Sequence, residues 1–346
     1  MLARRSFALV LAVLALTTSV TRSTAAEPAW PVPQWQTATP ASQGMSAEGV
    51  DKVRQWLGTH GSKTGMVIRH GQIVGEWYFN EATPASKYLV YSTSKSFAST
   101  AAGVAIAQGK LSLDDNVGRF VPDVKPADKK EITVRQLISM TTGVHNNAKL
   151  PTMPNVFSYS MYEAPQDFKP GTKWDYNNTG LALLSPVMKQ ATGVEPDKTL
   201  DEFVFRPIGI QPQDWHWEQR EQRTLSYSGL HINARSLARF GLLFLREGRW
   251  QDKQVLSSSW VKEATGPSQK LNPEYGYLWW NNTTGKKWPG TPTDAYAALG
   301  RYDNSMLIVP SLDLIVIRQV GDDLAYQHKL KIAELWQLAC DAVEKK

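Results

Sequence analysis

Two hydrophobic periodicities divide this chain, and their order along it limits the folds open to it. Strand-like segments cluster near the two ends, whereas the middle carries the 3.6-residue spacing of amphipathic helices. At the front, Met66 to Arg69 and Gln72 to Tyr78 flank His70-Gly71, a β-hairpin pattern. At the back, Tyr275 to Trp280, Tyr296 to Leu299, Ser305 to Val309 and Leu314 to Val320 read as strands. A last helix is expected from about Tyr326 to Glu344. Between them, Thr133 and Gln136 form a capping box ahead of Val134 to Met140, and a helix from Thr179 to Thr192 stops at Gly193. Asn233 caps a helix that places Leu237, Phe240 and Phe244 on one face. The expected class is α+β: one antiparallel sheet built from both chain ends and flanked by helices. A mostly helical lobe, roughly residues 110–245, is inserted between them. The stretch from His145 to Pro170, rich in proline and polar residues, reads as a long loop, a kind of segment that is usually functional.

The N-terminus implies export. Arg4-Arg5 precede an apolar run from Phe7 to Leu16 and a small-residue site at Thr24-Ala25-Ala26, the layout of a signal peptide over residues 1–26. Arg4-Arg5-Ser6-Phe7 also loosely matches a twin-arginine signal, although a Sec signal is the simpler reading. A single domain over 27–346 would remain, with no later run long enough to span a bilayer, in the periplasm or outside the cell. Removal of Arg4, Arg5 and Arg22 leaves that domain at +3, without clustered basic residues beyond Lys129-Lys130, so nucleic acid is not an expected partner. The one cysteine, Cys340, falls in an apolar helix pattern and is expected to pack there. Thiol catalysis and cysteine-ligated zinc are set aside.

Chemistry concentrates at Ser92-Thr93-Ser94-Lys95. Residues three apart on a helix share a face, so Lys95 can reach the Ser92 hydroxyl and, if partly desolvated, activate it. At a helix start, developing negative charge would also meet free N–H groups. The spacing alone is weak, since Ser259-Trp260-Val261-Lys262 repeats it on a polar helix start where capping explains the serine. A second element strengthens it: Pro170 to Asn178 brings Tyr176, able to pass protons between nucleophile and leaving group, and Asn178, able to hydrogen-bond substrate. Tyr-x-Asn recurs at Tyr78 and Tyr302, so its position beside the helix from Thr179 carries the argument.

The order Ser92-x-x-Lys95, Leu137 to Gly143, then Pro170-Gly171-Thr172-x-x-x-Tyr176-x-Asn178 resembles the serine β-lactamase-like superfamily. Residues 234–243, Tyr275 to Trp280 and Val309 to Leu314 extend the likeness over about residues 45–340. The branch it is most similar to holds class C β-lactamases, family VIII carboxylesterases and 6-aminohexanoate-dimer hydrolases. The resemblance implies that Ser92 is the nucleophile, Lys95 its partner, Tyr176 a general base or acid and Asn178 a substrate contact.

One family element departs from the pattern. Lys63-Thr64-Gly65 has the sequence of the family's strand motif but precedes Ser92, the wrong chain order. The stretch aligned by position is Ala298-Leu299-Gly300-Arg301, which puts alanine where the family carries a cation for the substrate carboxylate. Arg301 or Lys286 is the substitute open to this chain, and Gly300 and Arg301 are expected to contact substrate. The oxyanion donors would be the Ser92 N–H and an N–H near Arg301. The Gly-x-Ser-x-Gly elbow of α/β-hydrolases is absent, and the six histidines lack metal spacing. His231 reads as a packed histidine, and His145 as a residue able to line the cleft. The thirteen tryptophans read as core and cleft wall, not as glycan platforms.

The expectation is an exported serine hydrolase acting on a small-molecule ester or amide through an acyl-Ser92 intermediate, without metal or organic cofactor. A β-lactamase or D-amino-acid-specific peptidase is the enzymatic alternative. A non-catalytic cell-wall-binding protein of the same fold is the other. The sequence gives no oligomeric state.

Overall fold

A computed structural model describes residues 29–321 and 332–344. The expected signal peptide and residues 326–331 of the expected last helix lie outside the described residues.

Helix α1 (Ala47–Thr59) is capped by Ser46, whose side chain accepts the Gly49 N–H, and leads into β1 (Thr64–Arg69) and β2 (Gln72–Tyr78). His70 and Gly71 both adopt positive φ, the two-residue turn that suits the twist of a hairpin. Helix α2 (Ser94–Ala107) follows, and from Ser94 to Ala105 every residue is buried, as only a central helix can be. Its small residues permit close approach: a β-carbon at Gly103 would stand 2.3 Å from the Trp260 ring. Phe97 stacks on Phe240 with ring centroids 3.8 Å apart, joining α2 to α3 (Ala234–Leu245). Burying each such ring contributes about 1.5–3 kcal/mol.

After α4 (Ser258–Thr265) the chain completes the sheet with β3 (Trp280–Asn281), β4 (Tyr296–Leu299), β5 (Ser305–Val309) and β6 (Leu314–Gln319). It returns through α5 (Ile332–Asp341). The strand order is β3-β4-β5-β6-β1-β2, antiparallel throughout, so the front hairpin pairs with the last strand, Thr64 opposite Gln319. One core cluster lies between the sheet, α2, α3 and the inserted lobe. The other lies on the far face, under α1 and α5. This is the expected α+β architecture.

Four features depart from the sequence reading. Tyr275 to Trp279 is a tight turn, not a strand: Gly276 N–H donates to Trp279 O at 2.8 Å, and Leu278 has φ 63°. Its aromatic residues serve a side-chain cluster, so their spacing has no ladder behind it. The helix from Asn178 breaks at Leu183 into Asn178–Ala182 and Leu184–Thr192, the second ending at left-handed Gly193 as expected. The 145–170 stretch is partly helical, with short turns between Leu150 and Glu163. The lobe also holds strands, Trp215–Trp217 and Leu230–Ile232, paired with each other.

Candidate active site

The turn before α2 is built to present one side chain. Tyr91 takes φ 49°, a conformation costly for a residue with a side chain, and Ser92 follows in a short 3-10 turn that runs into the helix. Tyr91 is buttressed edge-on by Tyr302, itself at φ 61°. Thr93 donates to Asn304 O and Ser94 to Tyr91 O, so the residues around Ser92 are tied down.

Lys95 lies one turn on, almost wholly buried. Its Nζ is 2.9 Å from Ser92 Oγ and 2.7 Å from the Tyr227 carbonyl oxygen. Among the described residues no carboxylate offsets the burial, and desolvation holds the amine well below its ordinary pKa. The neutral amine can donate to the Tyr227 carbonyl while its lone pair accepts the Ser92 hydroxyl proton.

Tyr176 is placed by two packed segments. Residues 137–143 form a bed for 170–178: Gly171 N–H donates to Thr141 O and Asp175 N–H to Met140 O. Asn177 caps the following helix by accepting the Gly180 N–H. Asn146 reaches across from the next loop, donating to Tyr176 O and accepting the Asn178 N–H. The Tyr176 ring lies 4.9 Å from Lys95 Nζ and stacks on Trp280 at 5.9 Å. Burial pushes its hydroxyl up to about 12, and hydrogen bonding with Ser92 pulls the other way. Lys95 is thus the partner that is free of a proton first.

A cavity of about 270 Å³ opens beside Ser92, lined among others by Asn178, Tyr227, Arg220 and Arg301. Two polar atoms buried there lack a partner, Asn178 Oδ1 and the Tyr227 hydroxyl. Gly300 lies against the serine turn: a β-carbon there would stand 2.1 Å from Val90 O and 3.2 Å from the Ser92 nitrogen. Its N–H is taken by Asn304 O, so it is not free to meet substrate.

The structure therefore brings Ser92, Lys95, Tyr176, Asn178, Gly300 and Arg301 to one place. Lys286 is not there: it is exposed on a turn and does not line the cavity. Its neighbour Lys287 was missed by sequence reasoning, and its Nζ sits 3.8 Å over the Trp280 ring. Ala298 is buried in the core, opposite Met306. Tyr227, Glu218 and Arg220 were also missed, since nothing in their local pattern marks them. Arg220 reaches the cavity wall from a short hairpin and donates to Met153 O. Ser259 lies elsewhere, 2.7 Å from Ser257 Oγ, and Ser257 is the cap. His231 is held by Glu218 at 2.9 Å and exposed His145 by Asp167 at 3.0 Å. Cys340 is half-buried, its thiol pushed up to about 12.

The family model described as Beta-lactamase matches residues 61–320, most of the chain. The chain belongs to this family. Its fold is that of the serine β-lactamase-like superfamily, which includes penicillin-binding proteins and 6-aminohexanoate-dimer hydrolases. An uncharacterized protein of Alkalihalophilus pseudofirmus is 26% identical over 73% of this chain and 81% of its own length. The 6-aminohexanoate-dimer hydrolase of Paenarthrobacter ureafaciens is 19% identical over 73% and 71%. Among solved structures, one from Bacillus anthracis, provisionally described as a 6-aminohexanoate-dimer hydrolase, superposes with TM-score 0.76 at 19% identity. It covers 91% of this chain and 88% of that one. EstCE1, a hydrolase with promiscuous acyltransferase activity, superposes with TM-score 0.67 at 17% identity, covering 86% and 98%. Among the described residues, no helix is long and apolar enough to cross a membrane.

Proposed function

We propose that this protein is an exported serine hydrolase that cleaves an ester or amide bond through an acyl-Ser92 intermediate. The observation that carries the reading is the buried Lys95 amine 2.9 Å from Ser92 Oγ. A serine hydroxyl needs such a base, and an uncompensated buried lysine is costly to keep without a use. Ser92 Oγ attacks the substrate carbonyl carbon while its proton passes to Lys95. The oxyanion is met by the N–H groups of Ser92 and Arg301. Tyr176 relays the proton to the leaving alcohol or amine. Water then attacks the acyl carbon, the same pair takes its proton and returns it to Ser92 Oγ as the acyl–Oγ bond breaks, and the acid departs.

The two unpartnered polar atoms of the cavity suggest what the substrate carries. The Asn178 side-chain amide can pair with an N–H or a carbonyl oxygen, and the Tyr227 hydroxyl can donate to a carbonyl or hydroxyl oxygen. An amide fits both, consistent with the hydrolase of Paenarthrobacter ureafaciens among the relatives. A β-lactamase or D-amino-acid-specific peptidase is favoured by one observation, the Arg301 guanidinium at the cavity wall, which can anchor a substrate carboxylate. A binding-only role has no use for the Lys95 amine. Export follows from residues 1–26, and the periplasm or cell exterior is the proposed location. A serine-reactive fluorophosphonate should label the protein, and a panel of short-chain esters, linear amides, penicillins and D-amino-acid amides should reveal turnover. Absence of labelling with an intact fold would overturn the assignment.

A further inference from the structure

The turn that joins β3 to β4 carries a cation that the catalytic steps leave unused. The Lys287 side chain is only 20% exposed, and its Nζ lies 3.8 Å from the centroid of the Trp280 ring. A partly desolvated ammonium over an indole face is the strongest form of this contact. Glu274 stands 3.9 Å from the same ammonium and accepts the Thr284 hydroxyl at 2.9 Å, so the carboxylate that steers Lys287 is itself anchored in the turn. Its backbone carbonyl accepts the Asn281 N–H, which ties this group to β3.

Trp280 stands between Lys287 and the catalytic residues. Its ring lies 16° from parallel to the Tyr176 ring, with centroids 5.9 Å apart. Tyr275 meets Trp280 edge-on at 4.7 Å and Trp174 does so at 6.0 Å. The same two residues contact Tyr176 at 6.1 and 6.4 Å. These four rings pack as one group, so a tilt of Trp280 is passed to Tyr176. Burial and Ser92, not Lys287, set the pKa of the Tyr176 hydroxyl, so the lever left to Lys287 is position. Misplacing such a group by about 1 Å can cost on the order of 10²-fold in rate.

We propose that Lys287 is a positioning residue of the hydrolase: its ammonium clamps Trp280 against Tyr176 and so aims the Tyr176 hydroxyl at the leaving group. The proposal rests on the proton relay given to Tyr176 above. In that relay the proton leaving Ser92 reaches the leaving oxygen or nitrogen through Lys95 and Tyr176 as the acyl bond breaks. A leaving group that is stable as an anion needs no such proton, and its departure is insensitive to the clamp.

The test compares two esters of one acid, the acid being the one whose esters the parent cleaves fastest. The p-nitrophenyl ester releases a stable phenolate, whereas the ethyl ester must have its leaving oxygen protonated. Both give the same acyl-enzyme, so a difference in kcat/KM belongs to acylation. Lys287→Met and Lys287→Gln should each lower kcat/KM for the ethyl ester at least about tenfold, and for the p-nitrophenyl ester by no more than about threefold. Lys287→Arg keeps a cation over the ring and should recover most of the loss. In a Tyr176→Phe background, Lys287→Met should lower neither rate further, since no hydroxyl remains to be aimed. Equal losses on the two esters, the same loss in Tyr176→Phe, or no loss at all overturns the proposal. So does a parent that cleaves the p-nitrophenyl ester alone, because Tyr176 then supplies no proton. A parent with neither fluorophosphonate labelling nor turnover fails the catalytic reading itself, and this proposal falls with it.

Discussion

The Lys95 amine is held 2.7 Å from the Tyr227 carbonyl oxygen, a partner 132 positions away in the sequence. That contact fixes the amine in one direction and leaves its other side for the Ser92 hydroxyl. It also explains how a lysine stays buried without a carboxylate: a neutral amine needs only a hydrogen-bond acceptor.

Replacing Ser92 with alanine should abolish turnover and preserve the fold. Ser92 makes no helix-capping bond, and its hydroxyl bonds Lys95 and interacts with Tyr176. Peptide mapping of fluorophosphonate-labelled parent protein should find the adduct on Ser92. An adduct on Ser259, or activity within tenfold of the parent, would show that the wrong serine had been chosen.

Lys95→Met should eliminate activity and raise thermal stability. The folded protein holds Lys95 well below its ordinary value of 10.5, so between the two values the unfolded chain binds a proton that the folded chain does not. The parent therefore gains stability as pH rises through that window, and the variant lacks this slope. The Tm advantage of Lys95→Met should be largest below the folded pKa and shrink toward pH 10.5. A gap that widens with pH would contradict a neutral Lys95. For the same reason, the parent's activity should fall on the acidic side as Lys95 takes a proton.

Tyr176→Phe keeps the Trp280 stack and removes the hydroxyl. Proton relay of this kind contributes about 10²–10⁴-fold. The loss should appear in kcat, with KM little changed, because the cavity's unpartnered atoms belong to Asn178 and Tyr227. A change confined to KM would make Tyr176 a binding residue.

Much of this arrangement was legible in the sequence because it is local. Ser92 and Lys95 share a helix face, the Thr133 box and the Asn233 cap lie within four residues of their partners, and His70-Gly71 sets the hairpin. The β1–β6 pairing was legible in outline, since strands at both ends must meet. What stayed hidden depends on distant chain segments. Tyr227 is an ordinary residue until its carbonyl meets Lys95. Lys287 was passed over for Lys286 because only the turn decides which of two adjacent lysines lies over Trp280. Tyr275 to Trp279 mimicked a strand because aromatic residues that pack into one cluster alternate much as strand residues do.

Gly300→Ala tests the contact between the β4 end and the serine turn. The backbone at Gly300 has φ −125°, which any residue adopts, so the constraint is space alone. A β-carbon 2.1 Å from Val90 O must displace either β4 or the turn carrying Ser92. Overpacking of this kind costs about 1–3 kcal/mol. It would also move the Arg301 N–H relative to Ser92. Activity should fall at least tenfold while fluorophosphonate labelling slows in parallel, since both need the same oxyanion geometry. Full activity in a folded Gly300→Ala protein would mean that the strand end supplies no donor.

The last prediction concerns how substrate charge is read. The family's strand cation is replaced by Ala298, which is sealed in the core, so a lysine introduced there would enter packed space beside Met306 and not the cavity. Lys286 does not line the cavity, and Lys287 lies against Trp280, its pKa lowered by burial and partly restored by Glu274. Arg301 is the exposed cation at the cavity wall, and Arg220 there is already tied to Met153 O. A charge-assisted contact from an exposed arginine to a substrate carboxylate contributes on the order of 1 kcal/mol, or roughly fivefold in binding. Neutral p-nitrophenyl esters should therefore be hydrolysed with higher kcat/KM than penicillins, whose carboxylate finds only this weak anchor. Arg301→Ala should widen that ratio by about fivefold, and Arg301→Lys should restore part of it. A ratio unchanged by Arg301→Ala would remove Arg301 as the anchor. Penicillin turnover exceeding that of the esters in the parent would make the protein a β-lactamase in practice.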